Sequence, residues 1–213
     1  MRIKLIIIAS FLFHISFAQQ QLAIRQLKAG DFLFQDLGGG DLSNAIKKVT
    51  PHYHGNYFSH VGMVANYNGR LVVMESYNQF ADTISIDKFM QRTSSSIYVG
   101  RLKNKYQPLA FQASEEAKKY RGVKYDEKYL PDSNAIYCAE LIYYAFRNCN
   151  QQQDFFKMRP MTFKDPATNE LFPGWINYYQ KYFQMEVPEG EMGINPGLLI
   201  NDKRLEVFTL SVK

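Results

Sequence analysis

Cys138, His60 and Glu75 are the residues of this chain whose chemistry combines. A cysteine thiolate attacks a carbonyl carbon, an imidazole takes and returns the proton, and a carboxylate orients the imidazole. His60 heads the apolar stretch Val61-Gly62-Met63-Val64, and Glu75 ends Leu71-Val72-Val73-Met74. Cys138 opens Ala139-Glu140-Leu141-Ile142, which is apolar apart from Glu140. Little else in the sequence resembles a complete catalytic set.

The base and its orienter sit on a predicted hairpin. Asn68-Gly69 is the dipeptide favoured in two-residue turns between strands. With those residues at the tip, Tyr67 faces Arg70, Val64 faces Val73, Gly62 faces Glu75 and His60 faces Tyr77. Side chains alternate across a sheet, so His60, Gly62, Glu75 and Tyr77 share one face. Glu75 is then the diagonal neighbour of His60, ~7–8 Å away between Cα atoms and within side-chain reach. Gly62 has no side chain to block that lean. A slip of one residue would place the pair on opposite faces.

The nucleophile sits at a predicted helix start. Residues 139–148 contain no glycine or proline and read as continuous helix. A helix N-terminus carries a partial positive charge and unpaired N–H groups. Both favour a thiolate, and the N–H groups can hold the oxyanion formed on attack. Cys149, at the far end, reads as a buried structural cysteine. The two cysteines would lie about 16 Å apart along the helix. A disulfide needs Cα atoms within roughly 7 Å, so none is expected between them.

Further elements frame these. Residues 19–29 read as a polar lead-in, Phe32-Leu33-Phe34 as a buried strand, and Gln35–Gly40 as a loop. Asp41-Leu42-Ser43 is expected to cap a helix that stops near Thr50-Pro51. A short helix follows Asp87, a strand spans Ser96–Leu102, and a helix spans Leu109–Tyr120, ended by Gly122. Beyond Asn150 the chain reads as irregular, aromatic and proline-rich, with a last strand at Arg204–Leu210. The tail is expected to pack over the core, giving one domain over residues 19–213.

Residues 1–18 read as a secretory signal peptide. Arg2 and Lys4 precede an apolar run, and Ser16-Phe17-Ala18 places small residues at a cleavage site after Ala18. The run is shorter than the ~20 residues of a spanning helix. An exported, periplasmic or envelope address follows, and with it the opportunity for cell-envelope association. The formal charge of +5 is mild and scattered, so nucleic acid is not a partner. No obligate protein partner is evident. The 15 Tyr and 16 Phe suit an amphipathic groove for a lipid or peptide, as well as an aromatic core.

In this order and spacing the segments resemble a known group, the permuted papain-like amidases of the YiiX/YaeF type. These are distant kin of NlpC-type cysteine peptidases and of lecithin retinol acyltransferase. The resemblance runs from Gly30 to about Asp202. It rests on Gly30-Asp31-Phe32-Leu33-Phe34-Gln35, Ser43-Asn44-Ala45-Ile46 with Thr50, Ser59-His60-Val61-Gly62-Met63, Glu75, Tyr125-Asp126, Tyr137-Cys138-Ala139-Glu140-Leu141 and Asn195-Pro196-Gly197-Leu198-Leu199. Ala139 stands where a serine is usual, and the Gly38–Gly40 loop is longer than expected. The resemblance implies an α+β, circularly permuted papain-like (NlpC-like) fold, with an antiparallel sheet or small barrel packed against helices. It implies Cys138 as nucleophile, His60 as base, Glu75 as third member, and Gln35 and Tyr125 near the substrate.

The function expected is cleavage of an amide, of peptide or N-acyl type, through a thioester and without a cofactor. An acyltransferase would use the same thiol, and a non-catalytic envelope module would bind lipid or peptide without reacting. A zinc site is the remaining alternative. His52-Tyr53-His54 would put two histidines on one face of a strand near His60.

Overall fold

The computed structural model describes residues 20–131 and 134–211. The expected leader, residues 1–18, lies outside them. The described strands are β1 (Gln21–Ala23), β2 (Phe32–Gln35), β3 (His60–Tyr67), β4 (Arg70–Tyr77), β5 (Phe80–Ser85), β6 (Tyr98–Leu102), β7 (Arg159–Pro160), β8 (Met192–Gly193) and β9 (Leu205–Ser211). The α-helices are α1 (Asp41–Val49), α2 (Ile86–Met90), α3 (Gln107–Ala117), α4 (Cys138–Cys149), α5 (Pro173–Phe183) and α6 (Pro196–Ile200).

Seven strands form one sheet in the order β1-β9-β6-β2-β3-β4-β5, while β7 and β8 pair separately. The β1–β9 pair is parallel, and the other pairs of the large sheet are antiparallel. The sheet stays open, with β1 and β5 at its edges, so the expected alternative of a small barrel gives way to an open sheet packed against helices. No described helix is long and apolar enough to cross a membrane.

Alternation across β2, β3 and β4 sends side chains to two cores. Phe32, Phe34, Val61, Met63 and Met74 join α3, α4 and the aromatic tail in the larger one. Leu33, Val64 and Val73 join Phe89 of α2 and the N-terminal residues Leu22 and Leu27 in the smaller one. Asp31 is 1% exposed and takes paired hydrogen bonds from Arg101 Nε and Nη2, both at 2.7 Å, which pin β6 to the turn before β2. Gly30 in that turn has φ +93°, and a Cβ there would lie 2.8 Å from Ala110 of α3. Glycine therefore serves both the backbone angle and the close approach.

The tail departs from the expected irregular chain. Pro173 and Pro196 stand in the first turns of α5 and α6, where a missing N–H removes no helical bond. Asn195 caps α6 by accepting from Leu198 N at 2.8 Å. Trp175 and Tyr179 of α5 and Phe163 before it are buried in the main core, as is Ile194, so this part of the tail packs against it. At α1 the expected cap shifts. Gly40 is the N-cap, without a side-chain bond, and Asp41 is already helical. β1 and β5 were not expected, and α2 starts at Ile86 under Ser85, whose hydroxyl accepts from Lys88 N at 3.3 Å.

Candidate active site

The hairpin adopts the register its turn implies, with Tyr67 opposite Arg70, Val64 opposite Val73 and Met63 opposite Met74. Continued toward the strand ends, this sets His60, Gly62, Glu75 and Tyr77 on one face. His60 Nε2 meets Glu75 Oε2 at 2.7 Å, and the His60 and Tyr77 rings lie 5.2 Å apart. A Cβ on Gly62 would collide with Val73 Cγ1 and come within 3.4 Å of Glu75 Cβ. Glycine at 62 thus leaves room for the acid to lean toward the base.

Neighbouring residues on β4 divide the work of positioning. Glu75 points to His60, and Ser76, on the opposite face, donates from Oγ to Ile136 O at 2.6 Å. That bond ties the hairpin to the segment entering α4, two residues before Cys138. From the other side, Tyr137 Oη accepts from Ile194 N at 3.0 Å. α4 begins at Cys138 itself, and Tyr137 adds no side-chain cap, so the first-turn N–H groups lie next to the sulfur.

Cys138 lies close enough to His60 to raise its pKa, by hydrogen bonding and by charge. With Nε2 on Glu75, Nδ1 is the nitrogen left for the thiol. Burial of the ring disfavours its charged form. The hydrogen bonds to Cys138 and Glu75, and the charges of both, outweigh that and raise the His60 pKa from 6.5 to about 9. At neutral pH the ring is therefore held as an imidazolium. His60, Glu75 and Cys138 are all buried, the last at 5% exposure.

The structure adds Arg92, which sequence reasoning missed. Its Nη1 lies 2.7 Å from Glu75 Oε1 and 2.8 Å from Oε2, and its guanidinium stacks 4.2 Å from the centre of the Tyr77 ring. The carboxylate is thus held on one side by His60 and on the other by a fixed cation. No local pattern announces this residue, because its reach depends on where α2 turns the chain back over the hairpin.

Gln35 is directly opposite His60 across β2–β3 and fully buried. Both its amide atoms lack a hydrogen-bond partner among the described residues. Buried amides are normally paired, so this one is an exception. Tyr125 shares with Cys138 the wall of a cavity of about 190 Å³. Its hydroxyl is 3.4 Å from that of Tyr129. Burial, with the neighbouring Tyr129 and Cys138, holds its phenol well above the ordinary range.

Two expectations change. Cys149 is half-buried, more open than Cys138, because the C-terminus of α4 ends near the surface. Both thiols are free. His52 and His54 do not line a strand. Tyr53 pairs with Asn56 in a tight turn, His52 Nδ1 accepts from Gly55 N at 3.2 Å, and His54 has φ 46°. Both are exposed, whereas His60 is buried against Glu75.

The chain resembles the crystal structure of metalloprotein yiiX from Escherichia coli O157:H7, at 18% identity and a TM-score of 0.67, over 92% of this chain and 100% of that one. Among the described residues, no group of three or more His, Cys, Asp or Glu could hold a metal ion. The donor set here does not fit the metal that the relative's description names. No curated protein matches. The family described as permuted papain-like amidase enzymes, YaeF/YiiX, C92, matches residues 26–209. An α+β sheet-and-helix fold, a histidine that precedes the cysteine in the chain, and a match over most of its length agree: this chain belongs to the C92 family of permuted papain-like amidases, a family of cysteine hydrolases.

Proposed function

We propose that the protein is an exported thiol amidase in which Cys138, His60 and Glu75 act as a triad. The observation that carries this is the His60 ring, bonded at Nε2 to Glu75 and close enough to Cys138 for the thiol to raise its pKa. In acylation, Sγ of Cys138 bonds to the carbonyl carbon of the amide, and first-turn N–H groups of α4 hold the oxyanion. The C–N bond then breaks, and the amine leaves with the proton from His60. In deacylation, water attacks the thioester, His60 takes its proton, and the acid leaves as the thiol is restored. Glu75 keeps the ring in place and supports its charge. Gln35 offers its amide to the substrate's polar groups, and Tyr125 walls the acyl side.

The test is intact-mass analysis of the full chain after exposure to activated acyl donors. The expected result is a single acyl adduct on Cys138, absent in Cys138→Ala, with turnover insensitive to chelators. Activity that survives in Cys138→Ala, or that chelators remove, refutes the thiol mechanism. An added amine that captures the acyl group faster than water would assign the acyltransferase variant. N-terminal sequencing of exported protein tests the address, with Gln19 expected first.

A further inference from the structure

Glu75 is a buried carboxylate with two donors on one oxygen. Oε2 accepts from His60 Nε2 at 2.7 Å and from Arg92 Nη1 at 2.8 Å. The same Nη1 reaches Oε1 at 2.7 Å. The guanidinium is steadied by the Tyr77 ring, 4.2 Å away. Phe89, three residues before Arg92, lies with its ring 5.8 Å from that of His60. One short segment thus braces the acid and the base together.

Other charges nearby have partners of their own or face water. Asp82 stands opposite Glu75 across β4–β5 and accepts from Arg121 Nε at 2.7 Å. Lys88 borders the same surface hollow as Glu75 and Arg92 but is exposed. On the His60 ring, Glu75 acts from β4 and Cys138 from α4. Tyr77 and Phe89 add aromatic faces, and β2 brings the amide of Gln35.

The reaction changes the charge of one donor and not of the other. His60 is an imidazolium when it gives a proton to the leaving amine, and an imidazole when it takes one from water. A buried carboxylate left without a cation is strongly destabilising. A guanidinium keeps its charge through both steps. Arg92 therefore pairs with Glu75 while His60 is neutral, and its charge disfavours a second cation beside it.

We propose that Arg92 is a positioning residue acting through Glu75: it keeps the acid paired while His60 is neutral, and so frees the ring to serve as the base of deacylation. The proposal rests on the thiol-amidase reading, and its test separates the two. The native full chain, Arg92→Gln and Arg92→Lys are compared by nitrogen-15 NMR of the histidines and by intact mass after mixing with p-nitrophenyl acetate. A charge within ~4–6 Å moves a titration by ~1–3 pH units, so Arg92→Gln should raise the His60 midpoint by at least about one. Near pH 8 the neutral fraction then falls about tenfold. Deacylation slows with it, and acetyl-Cys138 accumulates until the pH is raised. Arg92→Lys keeps the charge and should stay near the native midpoint and deacylation rate. Near-UV dichroism identifies folded variants, and Arg92→Met replaces Arg92→Gln if that variant does not fold. A merely structural role gives the opposite sign, because a loosened Glu75 holds the imidazolium less well. A midpoint that falls or stays fixed in the neutral variant, or an adduct cleared at the native rate, overturns the role of Arg92 while acetylation of native Cys138 leaves the thiol mechanism standing. A native protein that never acquires the adduct refutes the thiol mechanism, and the role of Arg92 with it.

Discussion

Replacing Glu75 by glutamine should move the His60 titration toward its ordinary value. The raised pKa of about 9, against 6.5, corresponds to about 3 kcal/mol of preference for the imidazolium, net of the burial that opposes it. Glu75 contributes to it twice, by the 2.7 Å hydrogen bond and by its charge. A hydrogen bond to a charged group is worth ~1.5–3 kcal/mol net, or roughly one to two pKa units. Glutamine keeps the shape and loses the charge. It also leaves the Arg92 cation, on the other side of residue 75 from the ring, without its anion, which pushes in the same direction. The expected fall is therefore at least about one unit.

The sign carries over to activity. His60 must hold a proton to give it to the leaving amine, so amide turnover is present below the His60 pKa and is lost as pH rises through it. The alkaline limb of kcat/KM should lie near pH 9 in the native protein and lower in Glu75→Gln. Nitrogen-15 NMR of labelled histidines measures the titration without any substrate. The sequence has 4 His, and His60→Gln identifies the signal. A His60 that titrates near 6.5 in the native protein, or a midpoint that stays fixed in Glu75→Gln, would refute the charge-coupled arrangement.

Two further outcomes are expected. Iodoacetamide should modify Cys138 before Cys149 near neutral pH, with peptide mapping as the readout. Exposure alone favours the half-buried Cys149, whose thiol is raised by burial and by Glu116, so the reverse order would remove the case for a poised thiolate. Asp31→Ala should destabilise the fold by about 3 kcal/mol in urea unfolding, since it strands Arg101 without its partner. A change below 1 kcal/mol would mean, on the same principle, that solvent replaces the pair.

What the sequence made legible was local. A two-residue Asn-Gly turn fixes register, and a period of two then fixes faces, so the approach of Glu75 to His60 followed from a few residues. The absence of glycine and proline after Cys138 gave α4 its length, and so the separation of the two cysteines. What remained hidden depends on how distant segments meet. Arg92 reaches Glu75 only because α2 folds over the smaller core. The cavity beside Cys138 takes its walls from stretches more than a hundred residues apart, as Trp175 bonding to Ala45 illustrates. α5 was obscured because its prolines and aromatics read as punctuation, whereas Pro173 in a first turn is compatible with the helix it opens.

The geometry of β4 explains why the site tolerates so little freedom. Consecutive residues of a strand face opposite ways. Glu75 uses one face to hold the base, and Ser76 uses the other to hold the carbonyl of Ile136, just ahead of the nucleophile. The distance from base to thiol is therefore set by one strand acting on both sides. A shift of β4 by one residue would exchange the two faces, taking the acid from His60 and the hydroxyl from Ile136 together. Val73, packed where a Cβ on Gly62 would intrude, makes such a shift costly, because the side chain brought opposite Gly62 would have to fit the same gap. The glycine that lets the acid lean thus also helps to fix the register on which the whole site depends.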